Sequence, residues 1–150
     1  MANDLSAVPD VLFGTWKQLS GTYVDLETGE ERPGLSKSPS GYIHFARDGR
    51  MFNLTVDSSR QRPAGLRPTA AEAEAVYRSL IAYTGTFGVD GDRVFFDLDV
   101  SWNESWTGTR QTRTFKLEGN RLTLTTAPAP NPRDGKLSVS TLVWERISQG

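Results

Sequence analysis

The sequence predicts an all-β protein, an antiparallel up-and-down barrel of about eight strands with one helix inserted between the third and fourth strands. Strand-like runs rich in aromatic and β-branched residues are joined by short turns such as Asp48-Gly49 and Asp90-Gly91, which are typical of hairpins. Trp16 lies near one end of the chain, and Trp144 and Arg146 lie near the other. Their positions fit first and last strands that lie side by side, as closure of a barrel requires. This adjacency predicts a cation–π contact in which the Arg146 guanidinium stacks on the Trp16 indole.

The predicted strands occupy most of the chain. They cover residues 12–24, 41–46, 50–56, 82–89, 93–102, 106–117, 121–127 and 136–147. Residues 1–10 are a short N-terminal lead-in, and 150 residues suit a single domain, here 1–150. The polar segments 25–40 and 58–67, which contain Gly and Pro, are predicted to be loops.

The inserted helix is predicted from a capping box. Thr69 stands at the N-cap position and Glu72 follows three residues later, so that each side chain bonds the other's backbone N–H. The following run is rich in Ala and Glu and favours a helix to about residue 81. Val76 and Leu80, together with Tyr77 or Ile81, form an apolar stripe along it. We therefore expect the helix to pack against the barrel.

Seven short motifs occur in order along nearly the whole chain. They are Gly14-Thr15-Trp16, Gly41-Tyr42-Ile43, Asp48-Gly49-Arg50-Met51, Tyr83-x-Gly85-Thr86-Phe87, Trp106-x-Gly108-x-x-Gln111-x-Arg113-x-Phe115, Leu122-x-Leu124 and Trp144-x-Arg146. In this order they resemble the lipocalin-like (calycin) domain family of small bacterial and fungal barrels. The resemblance implies that Met51 and Asn53 face inward, whereas hydrophobicity favours Phe52, Leu54 and Val56. We adopt Met51 and Asn53 as the inward-facing residues of this strand.

Alternation of side chains along each strand assigns the rest of the barrel interior. The inward positions combine aromatic walls with a few polar groups, which is the usual composition of a small-molecule pocket. The predicted ligand-binding residues are Gln18, Met51, Asn53, Tyr83, Phe87, Phe96, Leu98, Gln111, Arg113, Phe115 and Trp144.

Arg113 stands out among these residues, because burying an unpaired charge costs several kcal/mol. One interpretation is that it anchors a carboxylate, enolate or phenolate of a ligand. The other interpretation is that it pairs with an internal carboxylate. The sequence leaves both open.

Three further ionisable residues are predicted to point outward. His44, the single His, alternates with Ile43 and Phe45, and Asp97 and Asp99 alternate with apolar neighbours. The family often carries a His on its fifth strand, where this chain has aromatic residues. No catalytic residue is therefore assigned.

Composition excludes several classes of protein. The chain has 17 basic and 18 acidic residues and no Cys, which argues against a nucleic-acid partner, disulfides and thiolate metal sites. It has no metal-ligand spacing and no phosphate loop, so we expect no metal and no cofactor. No apolar run approaches the ~20 residues of a membrane span, and residues 1–10 lack the features of a signal peptide. We expect a cytoplasmic protein that does not insert into a membrane. The sequence leaves its oligomeric state open.

Two functions are compatible with such a cavity. The leading one is binding of a small hydrophobic or amphipathic organic molecule. The resemblance implies the alternative, a cofactor-independent cyclase or isomerase of a polyketide- or terpenoid-like intermediate. In that case Arg113, Gln111, Tyr83 and Asn53 would polarise a carbonyl group. Because the sequence places no general acid or base inside the barrel, we rank ligand binding above catalysis. A third possibility is a protein whose barrel is filled by side chains and which acts through its surface.

Overall fold

A computed structural model of the chain describes residues 4–131 and 134–150. Within them the chain forms one ten-stranded antiparallel sheet and one α-helix. The elements are β1 (Gly14–Asp25), β2 (Glu31–Pro33), β3 (Pro39–Phe45), β4 (Arg50–Asp57), α1 (Ala70–Arg78), β5 (Leu80–Asp90), β6 (Arg93–Ser101), β7 (Arg110–Glu118), β8 (Arg121–Thr126), β9 (Ala129–Pro130) and β10 (Leu137–Gln149).

Eight of these strands close into a barrel. Strands β3 to β8 follow one another as antiparallel neighbours, β10 pairs with β8, and β1 pairs with both β3 and β10. The tight turns depend on Gly49 and Gly91, whose φ angles of +91° and +62° lie in the left-handed region that glycine adopts without a steric penalty. The predicted eight-stranded barrel, with its helix between the third and fourth barrel strands, is confirmed.

Strands β2 and β9 were not predicted: β2 lies within the predicted loop 25–40, and β9 lies between the predicted strands 121–127 and 136–147. Strands β1 and β10 pair with each other as far as Asp25 and Ser138, beyond the end of the barrel proper. In this extension, the outer edge of each of these two strands would have no neighbouring strand to pair with. Strand β2 pairs with residues 22–24 of β1, and β9 pairs with the start of β10, so both edges are covered.

The contact that closes the barrel joins the first and last strands. Trp16 and Arg146 are direct partners in the β1–β10 register, and the guanidinium carbon lies 4.7 Å from the centre of the indole ring. Arg146 Nη1 also donates to the Phe13 carbonyl at 3.2 Å. Trp16 donates its indole N–H to the Leu12 carbonyl at 3.0 Å. The predicted cation–π contact is confirmed.

The core fills one part of the barrel with large apolar side chains. Phe45 packs against two other aromatic residues of this core, with its ring centre 5.0 Å from that of Phe87 and 6.1 Å from that of Phe96. The lead-in contributes to this core, because Val8 is buried within it and Leu5 packs against it. The N-terminal segment is therefore partly integrated into the fold from Leu5 onward.

Helix α1 begins as predicted but packs differently. The Thr69–Glu72 capping box is present in full. The helix ends at Arg78 rather than near residue 81, because Ser79 caps it and Leu80 enters β5. None of its residues is buried, so the expectation that it packs closely on the barrel is wrong. In the described part of the chain, no helix is long and apolar enough to cross a membrane.

Candidate functional site

Strand β4 shows which of the two competing sets faces the barrel interior. Met51, Asn53 and Thr55 are buried, whereas Phe52 and Leu54 are 51% and 56% exposed. The register explains this arrangement, because Met51 lies opposite a buried residue of β3 and a glycine of β5 on the inner face. The set implied by the family resemblance is the observed one, and hydrophobicity alone points to the wrong face.

The predicted ligand-binding residues all lie on the inner face, but they form two groups. The members of the first group are at most 2% exposed and belong to the packed core: Met51, Phe87, Phe96, Leu98 and Trp144. The members of the second group keep polar atoms or partial solvent exposure: Gln18, Asn53, Tyr83, Gln111, Arg113 and Phe115. The second group, together with Thr55, is called the inner polar site below.

Two irregularities in the sheet shift the alternation that the sequence predicts. The β1–β10 register changes between Gln18 and Ser20, so Gly21 rather than Ser20 follows Gln18 on the inner face. The β5–β6 register changes beside Leu98, which turns Val100 outward to 63% exposure. Strict alternation from Trp16 along β1 and from Val94 along β6 predicts both Ser20 and Val100 on the inner face. Such bulges insert one extra residue and reverse the faces beyond it.

A chain of hydrogen bonds crosses the inner polar site from β1 to β5. Gln18 Nε2 donates to the Ser20 carbonyl at 3.4 Å. Thr55 Oγ1 lies 3.0 Å from Gln18 Oε1 and 3.2 Å from Asn53 Oδ1, two acceptors for its hydroxyl proton. Asn53 Nδ2 then donates to the Tyr83 hydroxyl at 3.2 Å. Thr55 was missing from the predicted ligand-binding set, although it alternates with Met51 and Asn53.

The Tyr83 hydroxyl and the Arg113 guanidinium are the two ionisable groups of this site. Burial raises the pKa of Tyr83, an effect that Arg113 and the Asn53 hydrogen bond partly oppose. Burial lowers the pKa of Arg113 from its ordinary value, while the nearby Tyr83 acts in the opposite direction. Burial therefore keeps the phenol protonated at neutral pH, and the guanidinium stays charged because arginine is not deprotonated in proteins. Both groups present hydrogen-bond donors.

Arg113 forms no ion pair with a carboxylate in the described residues. Its Nη1 donates to the adjacent Thr112 carbonyl at 3.0 Å. The partners of Arg113 on β6 and β8 are Val94 and Thr126. The buried carboxylate of Asp25, at the far end of β1, instead accepts bonds from the backbone of its own turn. Of the two interpretations of Arg113, internal pairing has no support here.

Solvent reaches the inner face along β7. Arg113 and Phe115 are half-buried, although Val94 and Leu124, which lie directly opposite them, are 0% and 2% exposed. Gln111 shows the same partial exposure. A closed, filled barrel would bury these side chains completely. The inner face along β7 is therefore partly accessible to solvent.

Aromatic rings extend from the inner polar site to the helix. Tyr83 lies 5.9 Å from Trp106, which lies 5.1 Å from Trp102, and Tyr77 of α1 lies 6.4 Å from Trp102. The two Trp residues pack against the core. The indole nitrogens of Trp102 and Trp144 are buried without an acceptor in the described residues, which adds donors near the interior.

The other candidate ionisable residues lie outside the barrel, as predicted. His44 Nδ1 is 2.7 Å from the Thr15 hydroxyl oxygen. Asp97 and Asp99 each accept hydrogen bonds from an arginine, and the bond from Arg50 lowers the pKa of Asp99. These groups are engaged on the outer surface and do not contribute to the inner polar site.

The closed antiparallel barrel with a polar site on its inner face defines a barrel of the calycin type. Residues 13–147 match the model of the lipocalin-like domain family, and the chain therefore belongs to this family. Among solved structures, a lipocalin-like protein from Bacteroides uniformis is similar, with 14% identity, coverage of 93% of this chain and 100% of that chain, and a TM-score of 0.50.

A second solved structure with a related outline is an uncharacterized protein from Bacteroides eggerthii. It is 13% identical, covers 90% of this chain and 98% of that chain, and has a TM-score of 0.43. A search of curated proteins found no match. At these identities the structural likeness concerns the fold alone.

Proposed function

We propose that the barrel binds a small hydrophobic or amphipathic organic molecule that presents an anionic or carbonyl oxygen to Arg113 and Tyr83. One observation carries the proposal. A guanidinium without a carboxylate partner in the described residues stands on the inner face at the side that solvent reaches. Its desolvation is costly unless an acceptor binds it, and a ligand oxygen supplies that acceptor.

The surroundings of Arg113 suit a ligand of this chemistry. The Tyr83 phenol, kept protonated by burial, donates a second hydrogen bond to the same oxygen. The half-buried side chains of Phe115, Leu117 and Leu142 pack against the core and offer an apolar surface to the rest of the molecule. A mostly apolar wall with a few convergent donors is the usual design of such sites.

A second candidate function, a cofactor-independent cyclase or isomerase, would use the same groups. The observation that favours it is the neutral phenol beside a guanidinium, because this pair can polarise a carbonyl and stabilise the oxyanion that develops from it. Within the described residues, however, no carboxylate or imidazole contacts Tyr83. A reaction that removes a proton would lack a base there, so we rank binding first.

A titration with two ligands of the same shape tests the proposal. Naphthoic acid and naphthamide differ in charge but hardly in size. The variant Arg113→Met should weaken naphthoic acid by about 1.5–3 kcal/mol, the worth of a hydrogen bond to a charged group, which is about tenfold to a hundredfold in Kd. Naphthamide should change little. Calorimetric titration measures both constants.

Arg93→Met is the matched control. Arg93 is exposed on β6, so its substitution removes the same charge from outside the barrel and should leave both ligands unaffected. Equal losses for acid and amide in Arg113→Met would contradict the anchor role. A drop in stability of ~3–5 kcal/mol without a change in ligand preference would instead indicate a broken internal ion pair.

A further inference from the structure

A groove of about 690 Å³ lies on the outer side of the barrel beside α1. Small-molecule sites usually measure about 300–1,000 Å³. Its walls are formed by α1, the end of β4, the start of β5 and the connecting segment. The residues lining it are Ser40, Val56, Asp57, Ser58, Arg60, Gln61, Arg62, Pro63, Pro68, Ala73, Val76, Tyr77 and Leu80. It is called the α1 groove below.

We propose that the α1 groove is a second binding site, which takes an amphipathic anion. The apolar part of the ligand lies against Val56, Val76 and Leu80, and its acidic group is held by Arg60 and Arg62. Three observations support this assignment: the uncovered apolar side of the helix, the charge at the rim, and the fixed walls.

The helix presents an apolar side that the barrel does not cover. Val76 is half-buried and Tyr77 is 48% exposed, and no residue of α1 is buried. A surface helix normally buries its apolar stripe against the core. Here that stripe, together with Val56 and Leu80, lines the α1 groove. These side chains therefore form an apolar surface accessible to a ligand.

The charge at the rim selects an anion. Arg60 and Arg62 are exposed, and neither forms a salt bridge within residues 4–131 and 134–150. The carboxylate of Asp57, which also lines the groove, accepts hydrogen bonds at Oδ1 from the Ser36 hydroxyl at 2.8 Å and from the Ser59 hydroxyl at 2.6 Å and keeps its negative charge, so Arg60 and Arg62 leave the lining with an excess of one positive charge. Two guanidinium groups beside an apolar floor complement a carboxylate, sulfate or phosphate that carries an aliphatic chain.

The walls of the α1 groove are held by hydrogen bonds at both ends. The Ser58 hydroxyl donates to the Ser38 carbonyl at 2.7 Å. At the helix N-terminus, Glu72 Oε2 accepts the backbone N–H of Ala64 at 3.1 Å. The groove thus exists before a ligand arrives, which reduces the entropy cost of binding.

The α1 groove is separate from the inner polar site and shares no residue with it. Tyr77 lines the groove and approaches Trp102, and the rings of Trp106 and Tyr83 continue from there to the interior. Because the two sites share no residue, binding at each site can be followed at its own residues. Failure of one does not imply failure of the other.

Titration with dodecanoate below its micelle concentration, followed by amide NMR shifts, tests the groove. We expect shifts at Ala73 and Val76 on binding. The double variant Arg60→Gln/Arg62→Gln should weaken the binding reported by these amides by about fivefold to tenfold, as expected for two exposed charges. The control Arg67→Gln removes one charge from an exposed residue of the same segment that does not line the groove, and should weaken it by less than about twofold.

Three results would overturn this proposal. Shifts confined to Phe115 and Leu117 would place dodecanoate only in the barrel interior. A loss in Arg67→Gln as large as in the double variant would indicate general attraction of anions. Sedimentation with vesicles of phosphatidylcholine and phosphatidylglycerol, without any binding of monomeric dodecanoate, would indicate that the surface docks on an anionic membrane instead.

Discussion

Two parts of the barrel wall differ in how completely they bury their inward side chains. Around Phe45, Phe87 and Phe96 the inner face is fully excluded from solvent, and the rings contact one another edge to face or tilted. Along β7 the inward side chains of Arg113 and Phe115 remain half-buried. The same alternation of inner and outer residues runs through both parts.

The difference shows that one part of the wall is a packed apolar core, whereas the other keeps inward side chains in partial contact with solvent. Aromatic and aliphatic side chains fill the space between strands on one side, which removes apolar surface from water. Long polar side chains cannot be packed in this way without losing their hydrogen bonds to water. Gln111 and Arg113 remain partly exposed on the β7 side, so substitutions on the two sides should have different consequences.

Phe45→Ala should have the largest effect on stability. It deletes a ring that is 0% exposed, and such truncations lower the free energy of unfolding by about 3–5 kcal/mol. Phe115→Ala also removes a phenylalanine ring, but one on the half-buried side, and should lower the free energy of unfolding by only about 1–2 kcal/mol. Urea unfolding measures both values. Equal losses would mean that the two parts of the wall are equally packed.

Arg146→Ala should have an intermediate effect, because it removes the closing contact of the packed side. The variant loses the stacking on Trp16 and the hydrogen bond to the Phe13 carbonyl, for a total of about 1–3 kcal/mol. Arg121→Ala, at an exposed position of β8, is the control and should be nearly neutral. A melting temperature unchanged by Arg146→Ala would contradict a stabilising role for this contact.

Tyr83→Phe should have the smallest effect, and the part of that effect that depends on pH appears only at high pH. Burial raises the folded-state pKa of Tyr83 above its ordinary value of 10.0, so the unfolded chain loses this proton first. The contribution is complete below about pH 10 and is lost as pH rises through the folded-state pKa, by at most about 1.4 kcal/mol per pH unit. The slope of unfolding free energy against pH should therefore be shallower in Tyr83→Phe.

Measurements from about pH 8 to about pH 11 give this slope. Tyr42→Phe is the matched control, because Tyr42 is 46% exposed on the outer face, and it should keep the wild-type slope. If Tyr83→Phe also keeps that slope, Tyr83 is not buried in the manner described. The comparison uses slopes, since loss of the Asn53 hydrogen bond lowers stability by an amount that does not depend on pH.

The sequence alone was sufficient for the order of the strands, the capped start of the helix and the closure of the barrel. Each of these depends on local chemistry. Asp-Gly turns and alternating apolar residues define hairpins, and Thr69 with Glu72 forms a cap within a single helical turn. The contact between Trp16 and Arg146 follows once the first and last strands of a barrel are adjacent. The outward position of His44 follows from alternation in the same way.

Only the tertiary structure decided which polar groups meet inside the barrel and whether Arg113 pairs with a carboxylate. The register shifts beside Gln18 and Leu98 depend on partner strands distant in sequence, so Ser20 and Val100 were assigned to the wrong face. Whether Arg113 has a carboxylate partner depends on which residues face it across the barrel. Alternation fixes the face of a side chain only relative to its neighbours in the same strand, whereas its partners depend on how the strands come together.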